Sequence, residues 1–416
     1  MSSALAELEI ARFAVEEVVE GTKTGWDRDR LHATIPELAG GAGDPALAEV
    51  TVEIVRPGDP VRIANVLDAV VPSVKTEDPS STFPGALGTL AIAGRGVTNR
   101  LDGVHVIVTC DWEGAGLVGP GEFPPSFLDM DGPAADRTRY GASTNVVVGC
   151  RPAPGIALQE ADRAVRRAGL RVARDLAART IGETPYRVDR LSIGAASATL
   201  PALCLVLQMA SEGPLLDTYL YGAPTSHIAP TLVDPLAILD GSLTNGTYDW
   251  PSVRNATAAY QASPLIEELI AGHGERFRFV GSILALGYLN TADDKLRSAL
   301  QSASLATLLD ADAAICTTFS SGNSHTDTML TVRTLEREGI RTCAIVAETN
   351  GGLTDHVPEA DCLVSVGNED ELLDAWTPSR VIGGDRDAMI GQQVPLRAYL
   401  GANGETGEMD LTAVAS

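Results

Sequence analysis

Leu203-Cys204-Leu205-Val206-Leu207-Gln208-Met209 is apolar at every position except Gln208 and shows no polar alternation. A short, continuous apolar run of this kind reads as a strand buried on both faces, and such strands belong to parallel sheets covered by helices. The same character returns at 277–286, 313–319, 342–347 and 362–366, while 293–309 and 327–338 carry helical spacing. Strands alternating with helices are the signature of a parallel sheet with crossover helices. In such sheets ligands bind at the carboxyl ends of the strands. The loops 320–326 and 348–356 leave from those ends.

Working toward the N-terminus, residues 5–150 are β-rich. The stretch 49–56 alternates, 61–71 is apolar and 104–111 is strongly β-branched. Clusters such as Arg56-Pro57-Gly58-Asp59-Pro60 and Phe83-Pro84-Gly85 punctuate these runs as turns. The character changes after Arg151-Pro152-Ala153-Pro154-Gly155, which reads as a linker. The expected fold class is therefore α/β. A β-rich N-terminal domain (1–155) is followed by a mostly parallel, Rossmann-like substrate-binding domain (156–400) and a loose tail (401–416). Residues 159–180 form an amphipathic helix in which Arg163, Arg166, Arg167, Arg171 and Arg174 are interspersed with Glu160, Asp162 and Asp175. That mixture predicts a solvated face or a subunit contact rather than a phosphate site.

Charge narrows the partners. The 31 Lys plus Arg against 55 Asp plus Glu leave a net charge of −24 over 416 residues, which repels nucleic acid and anionic membrane surfaces. The start, Met1-Ser2-Ser3-Ala4-Leu5-Ala6-Glu7, lacks a basic segment followed by an apolar one, and no run of about 18 apolar residues occurs. A cytoplasmic protein without membrane contact is expected. The six cysteines are scattered, with no C-x-x-C pair and no histidine at metal-ligand spacing, so they read as reduced structural thiols and no metal site is expected.

Three stretches carry possible chemistry. Gly114-Ala115-Gly116-Leu117-Val118-Gly119 has the spacing of a dinucleotide fingerprint, but Pro120-Gly121-Glu122-Phe123-Pro124-Pro125 follows where a helix must begin, so it reads as a plain loop. In Ser320-Ser321-Gly322-Asn323-Ser324-His325-Thr326-Asp327, a strand end meets a helix start. Asn323 and Asp327 are candidate substrate-binding residues, and His325 is a candidate acid/base because its imidazole titrates near neutrality. Helix capping is the alternative use of the same residues. Glu348 ends the next strand and is a second catalytic candidate, with an exposed turn carboxylate as its alternative.

Asp240-Gly241-Ser242-Leu243-Thr244-Asn245-Gly246-Thr247 packs turn-forming and nucleophilic residues together. It reads either as a loop or as a site of backbone self-cleavage, in which a hydroxyl attacks the preceding carbonyl and elimination leaves a ketoacyl N-terminus. Such a carbonyl captures an amine and acts as an electron sink. Ser242 and Thr247 are the candidates for that role, with Tyr219 and Tyr221 as candidate substrate-binding residues beside the crevice.

Several further stretches, kept in order along the chain, resemble one family. They are Val55-Arg56-Pro57-Gly58-Asp59, Thr82-Phe83-Pro84-Gly85, Leu128-Asp129-Met130-Asp131-Gly132-Pro133, Leu216-Asp217-Thr218-Tyr219-Leu220-Tyr221-Gly222, Leu239-Asp240-Gly241 and Gly339-Ile340-Arg341-Thr342. From about residue 8 to 385 the chain resembles the proprotein subunits of glycine, sarcosine and betaine reductase component B and of D-proline reductase. The resemblance implies a subunit cleaved at an internal cysteine that becomes a pyruvoyl group. It also implies a hetero-oligomer with a small partner subunit carrying cysteine or selenocysteine, which attacks the substrate and cleaves a C–N bond reductively. In the family that cysteine lies a few residues after an Asp-Gly pair equivalent to Asp240-Gly241. Here Ser242, Thr244, Thr247 and Ser252 occupy the region, and no cysteine lies between Cys204 and Cys316. Serine would give pyruvoyl and threonine a 2-oxobutyryl group. Three readings follow: an enzyme subunit binding a small amino- or imino-acid-like substrate, a noncatalytic structural or binding subunit, or a different hydrolase or lyase activity on the same scaffold.

Overall fold

The computed structural model describes residues 7–112, 115–116, 126–210, 217–226, 228–245, 255–319, 322–349, 360–384, 388–404 and 412–414. The protein is a mixed α/β structure. Its largest sheet has seven strands in the spatial order Thr231–Val233, Arg278–Leu286, Ala202–Met209, Ala313–Thr317, Arg341–Glu348, Cys362–Asn368 and Thr412–Val414. The five inner strands are parallel, as the apolar runs predicted, and the two edge strands are antiparallel. In chain order the parallel strands lie 2-1-3-4-5, so the winding reverses between Ala202–Met209 and Ala313–Thr317. In open α/β sheets of this winding, the carboxyl ends of the two strands at the reversal border the crevice where ligands bind.

Alternating side chains on Ala202–Met209 explain why its sequence is apolar throughout. Cys204 and Val206 pack in a core with Ala303, Ala306, Met329 and Val332 of the helices Ala292–Leu308 and Asn323–Arg337. Leu205, Leu207 and Met209 point the other way, into a core with Leu269 and Ile270 of helix Pro264–Ala271 and with Leu8 and Ile10 near the start of the chain. Each buried leucine contributes about 1.5–3 kcal/mol relative to exposure.

The N-terminal half is built around two four-stranded sheets. One orders Arg187–Ser192, Glu7–Ala14, Gly96–Asp102 and Ser73–Lys75; the other orders Leu47–Val55, Thr144–Pro152, Val104–Cys110 and Val66–Val70. Helix Leu158–Ala177 packs against strands of both, with Val165, Ala168, Val172 and Leu176 in their shared core. Gly169 lets it approach, since a Cβ there would stand 2.3 Å from Val108 Cγ2. The helix lies where its spacing placed it, yet its arginines are not a solvated face: only Arg163 is exposed among the five.

The apolar stretch 61–71 is not one strand. Asn65, at φ 54°, breaks it into Val61–Ala64 and Val66–Val70, which join different sheets. Val61–Ala64 pairs in parallel with Arg380–Gly383, so the chain returns late to its N-terminal half. Within the tail, Thr412–Val414 is held as an edge strand on Cys362–Asn368. Among the described residues no helix is long and apolar enough to cross a membrane.

Candidate functional site

Asp234 begins the segment that carries the site: its Oδ1 accepts the Leu236 N–H at 3.0 Å and caps the turn that starts at Pro235. The chain winds through Ile238–Ser242, turns at Gly241 (φ 82°) and enters the short strand Leu243–Thr244. Glycine is required at 241, because the left-handed φ disfavours a side chain and a Cβ would stand 2.9 Å from the ring of buried Phe83. Leu243–Thr244 pairs antiparallel with Tyr219–Leu220, and the Tyr221 N–H donates to the Ser242 carbonyl at 2.7 Å. The structure thus brings Tyr219, Tyr221 and Ser242 together.

The N-terminal half grips this turn. Asp240 accepts from the Gly94 N–H at 2.7 Å and the Thr98 hydroxyl at 2.6 Å, and pairs with Lys75 Nζ at 2.5 Å. Arg100 donates to the Leu239 carbonyl at 2.7 Å; burial, reinforced by nearby Arg12, lowers its pKa to about 10. Asp240 is therefore fixed as an anchor. Ser242 is 1% exposed, and its Oγ has no hydrogen-bond partner among the described residues.

Three residues on, Asn245 is held at both backbone groups. Its N–H donates to Thr257 Oγ1 at 2.9 Å, and its carbonyl accepts from Arg166 at 2.7 Å. Arg166 is a two-pronged partner of Asp162, and its guanidinium lies 3.9 Å from the centre of the Tyr219 ring. The Tyr219 hydroxyl donates to Asp162 Oδ2 at 2.8 Å, and burial raises the phenol's pKa. Thr257 in turn donates to half-buried Asp68, from its hydroxyl at 2.6 Å and its N–H at 2.8 Å. Burial pushes the Asp68 carboxyl up to about 7, against the opposing effect of those bonds and of Arg166. Thr247 lies outside the described residues.

The crevice at the sheet's carboxyl end holds the second group of candidates. Gln208 spans it: its Oε1 accepts the Phe319 N–H at 2.8 Å and its Nε2 donates to the Ser324 carbonyl at 2.8 Å. Asn323 and Asp327 meet at Lys295, whose Nζ lies 2.5 Å from Asn323 Oδ1 and 2.6 Å from Asp327 Oδ1. Asp327 also accepts the Leu289 N–H at 3.1 Å, and burial raises its carboxyl despite the lysine. Among the described residues no side chain caps helix Asn323–Arg337, whose N-cap is Gly322 at φ 69°. His325 is 2% exposed, whereas Glu348 ends its strand half-buried, with its carbonyl accepting the Glu369 N–H. Beside this edge a cavity of about 570 Å³ is lined by Ile228, Pro230, Leu286, Tyr288, Asn290 and Arg297, among others.

Sequence reasoning missed Asp68, Thr257, Asp162, Arg166, Gln208 and Lys295. The Asp162–Arg166 spacing of four was a signal, since it sits among apolar neighbours on one helix. The Asp68–Thr257 contact joins residues far apart in sequence, so no local pattern carries it.

A ketoacyl group at this turn is compatible with the residues present: an orphaned, buried hydroxyl follows a glycine whose carbonyl bears no bulky neighbour on its own residue. No solved structure matches the chain. The family model for the glycine/sarcosine/betaine reductase component B subunits matches residues 6–395. The glycine reductase complex component B subunits alpha and beta of Acetoanaerobium sticklandii are 30% identical over 98% of this chain and 99% of that protein. The protein of the same name from Peptoclostridium acidaminophilum is 29% identical, covering 96% and 97%. The sarcosine reductase complex component B subunit alpha of that organism is also 29% identical, covering 97% and 94%. With the match spanning nearly every described element, the chain belongs to the family of glycine/sarcosine/betaine reductase component B subunits.

Proposed function

We propose that this chain is the substrate-binding subunit of a reductase complex. It takes a small amino- or imino-acid-like substrate and works with a small partner subunit whose thiol or selenol cleaves a C–N or other C–heteroatom bond. The observation that carries this reading is the buried Ser242 hydroxyl, without a partner among the described residues, directly after Gly241 at φ 82°. In the proposed processing, Ser242 Oγ adds to the Gly241 carbonyl carbon and the peptide C–N bond breaks as an ester forms. Loss of the Ser242 Cα proton then expels the Gly241 carboxylate. Water replaces the nitrogen of the resulting enamine, releasing ammonia and leaving a pyruvoyl N-terminus at 242. That group, once present, supplies an electrophilic carbonyl and an electron sink.

The chain's own residues hold the reacting turn. Lys75, Gly94 and Thr98 fix Asp240, Phe83 packs against Gly241, and Tyr221 fixes the Ser242 carbonyl. Tyr219, stacked on Arg166 and bonded to Asp162, forms a rigid wall next to the turn. Asn323, His325 and Glu348 remain candidates for a substrate's polar groups at the neighbouring sheet edge. The absence of a cysteine between 204 and 316 favours a second reading, a noncatalytic subunit that keeps the fold.

Affinity purification of the full chain from its own cells, followed by assay of the reconstituted complex with glycine, sarcosine, betaine and proline, tests the proposal. A small Cys- or selenocysteine-containing partner and turnover dependent on Ser242 are expected. A partner without turnover would favour the noncatalytic reading, and no such partner would overturn both.

A further inference from the structure

We propose that Asp68 is the proton-holding group of this site, a positioning residue whose Oδ2 is coupled through the Thr257 hydroxyl to the backbone at Asn245. The inference rests on the reading that the turn at 240–245 is where chemistry occurs. Its physical basis is separate.

Asp68 Oδ1 accepts two backbone N–H groups, from Ala69 at 2.9 Å and from Thr257 at 2.8 Å, which fixes the carboxyl plane. Among the described residues Oδ2 has one partner, the Thr257 hydroxyl at 2.6 Å, and that hydroxyl oxygen also accepts the Asn245 N–H at 2.9 Å. The hydroxyl therefore has two settings. With Asp68 ionised, Thr257 donates to Oδ2. With Asp68 protonated, Oδ2–H donates to Thr257 Oγ1, and the threonine proton leaves Oδ2. The protonation state of Asp68 thus sets the direction of the Thr257 hydroxyl that receives the Asn245 N–H, on the stem that leads to Ser242. Asp68 is half-buried as a residue, and its carboxyl is the part on which burial acts.

The surroundings leave the two settings close in energy. Arg166 favours the carboxylate but is already engaged by Asp162 on the same helix. On strand Val104–Cys110, which pairs with the Asp68 strand, burial keeps His105 and Cys110 neutral. On helix Thr257–Gln261 the titratable side chain is Tyr260. Burial of the carboxyl opposes ionisation and brings its pKa to about 7.

Asp68→Asn is the informative variant. An amide oxygen keeps the bonds from Ala69 and Thr257, and the NH2 donates to Thr257 Oγ1 as a protonated carboxyl would. The sign follows from the raised value. The unfolded carboxyl titrates near 3.8, so the stability of the protonated form is fully present below that pH and is lost as the pH rises through about 7. Wild type should therefore lose Tm relative to D68N over that window and hold a constant gap above it. Infrared difference spectra between about pH 5 and about pH 9 should show a carboxyl band that titrates in wild type and is missing from D68N. Thr257→Val should move that midpoint upward, and Thr257→Ser should leave it in place. In the reconstituted complex, the limb of the pH–rate profile near 7 should vanish in D68N.

A constant Tm gap with no D68N-sensitive carboxyl band would overturn the inference, making Asp68 a permanently ionised acceptor. A rate profile unchanged by D68N would also overturn it. If wild type itself shows no turnover, the proposed function fails, while the band and the Tm gap still decide the state of Asp68.

Discussion

The backbone N–H of Tyr221 donates to the carbonyl of Ser242 at 2.7 Å, so the residue proposed to react is fixed by a strand pairing on its C-terminal side. On its N-terminal side Asp240 is fixed by three partners. Between these two anchors only Gly241 and the Ser242 side chain remain to rearrange. Ser242→Ala is predicted to abolish cleavage while leaving the circular dichroism spectrum unchanged. Ser242→Thr should retain slower cleavage and give an N-terminal fragment mass identical to wild type, with a C-terminal fragment one methylene heavier.

Gly241→Ala should destabilise the fold by about 1–2 kcal/mol from the left-handed φ alone. Contact with Phe83 at 2.9 Å adds crowding of about 1–3 kcal/mol. Urea unfolding monitored by fluorescence measures the sum. A change below about 0.5 kcal/mol would mean that the turn relaxes freely.

Lys75→Met removes the cation from a carboxylate that is 1% exposed. Breaking one side of a buried ion pair costs about 3–5 kcal/mol. The Gly94 and Thr98 bonds to Asp240 remain and place the expected loss at the lower end, readable in the urea midpoint.

Gln208→Leu tests the crevice at the winding reversal. It leaves the Phe319 N–H and the Ser324 carbonyl without their partner, at about 1–3 kcal/mol for each group that water does not reach. Hydrogen exchange should quicken at Phe319 and along the first turn of helix Asn323–Arg337, with the strand Ala202–Met209 itself still protected.

Period and apolar content made the parallel strands legible: the run beginning at Leu203 lies in a five-stranded parallel core, and the helix expected over 159–180 runs from Leu158 to Ala177, with a 3-10 turn completing it to Thr180. The same reading joined 61–64 to 66–70, because the positive φ at Asn65 leaves no mark on hydrophobicity. Arg166 looked solvated because charged residues on a helix usually are, and only the approach of Asn245 and Tyr219 from another part of the chain makes it part of a site. Ser242 was legible as one of several candidate nucleophiles beside an Asp-Gly turn. Its dependence on Lys75, Phe83 and Thr98 was not, since those contacts are long-range and obey no sequence period.

Intact-mass spectrometry of the freshly purified, denatured chain, with hydrazide labelling of protein carbonyls, tests the central claim most directly. Denaturation is needed because strand pairings such as Leu220 with Leu243 would hold the two fragments together in the native fold. The account predicts two fragments meeting at Gly241 and Ser242, with the label on the N-terminus of the second. A single unlabelled chain of 416 residues would contradict it.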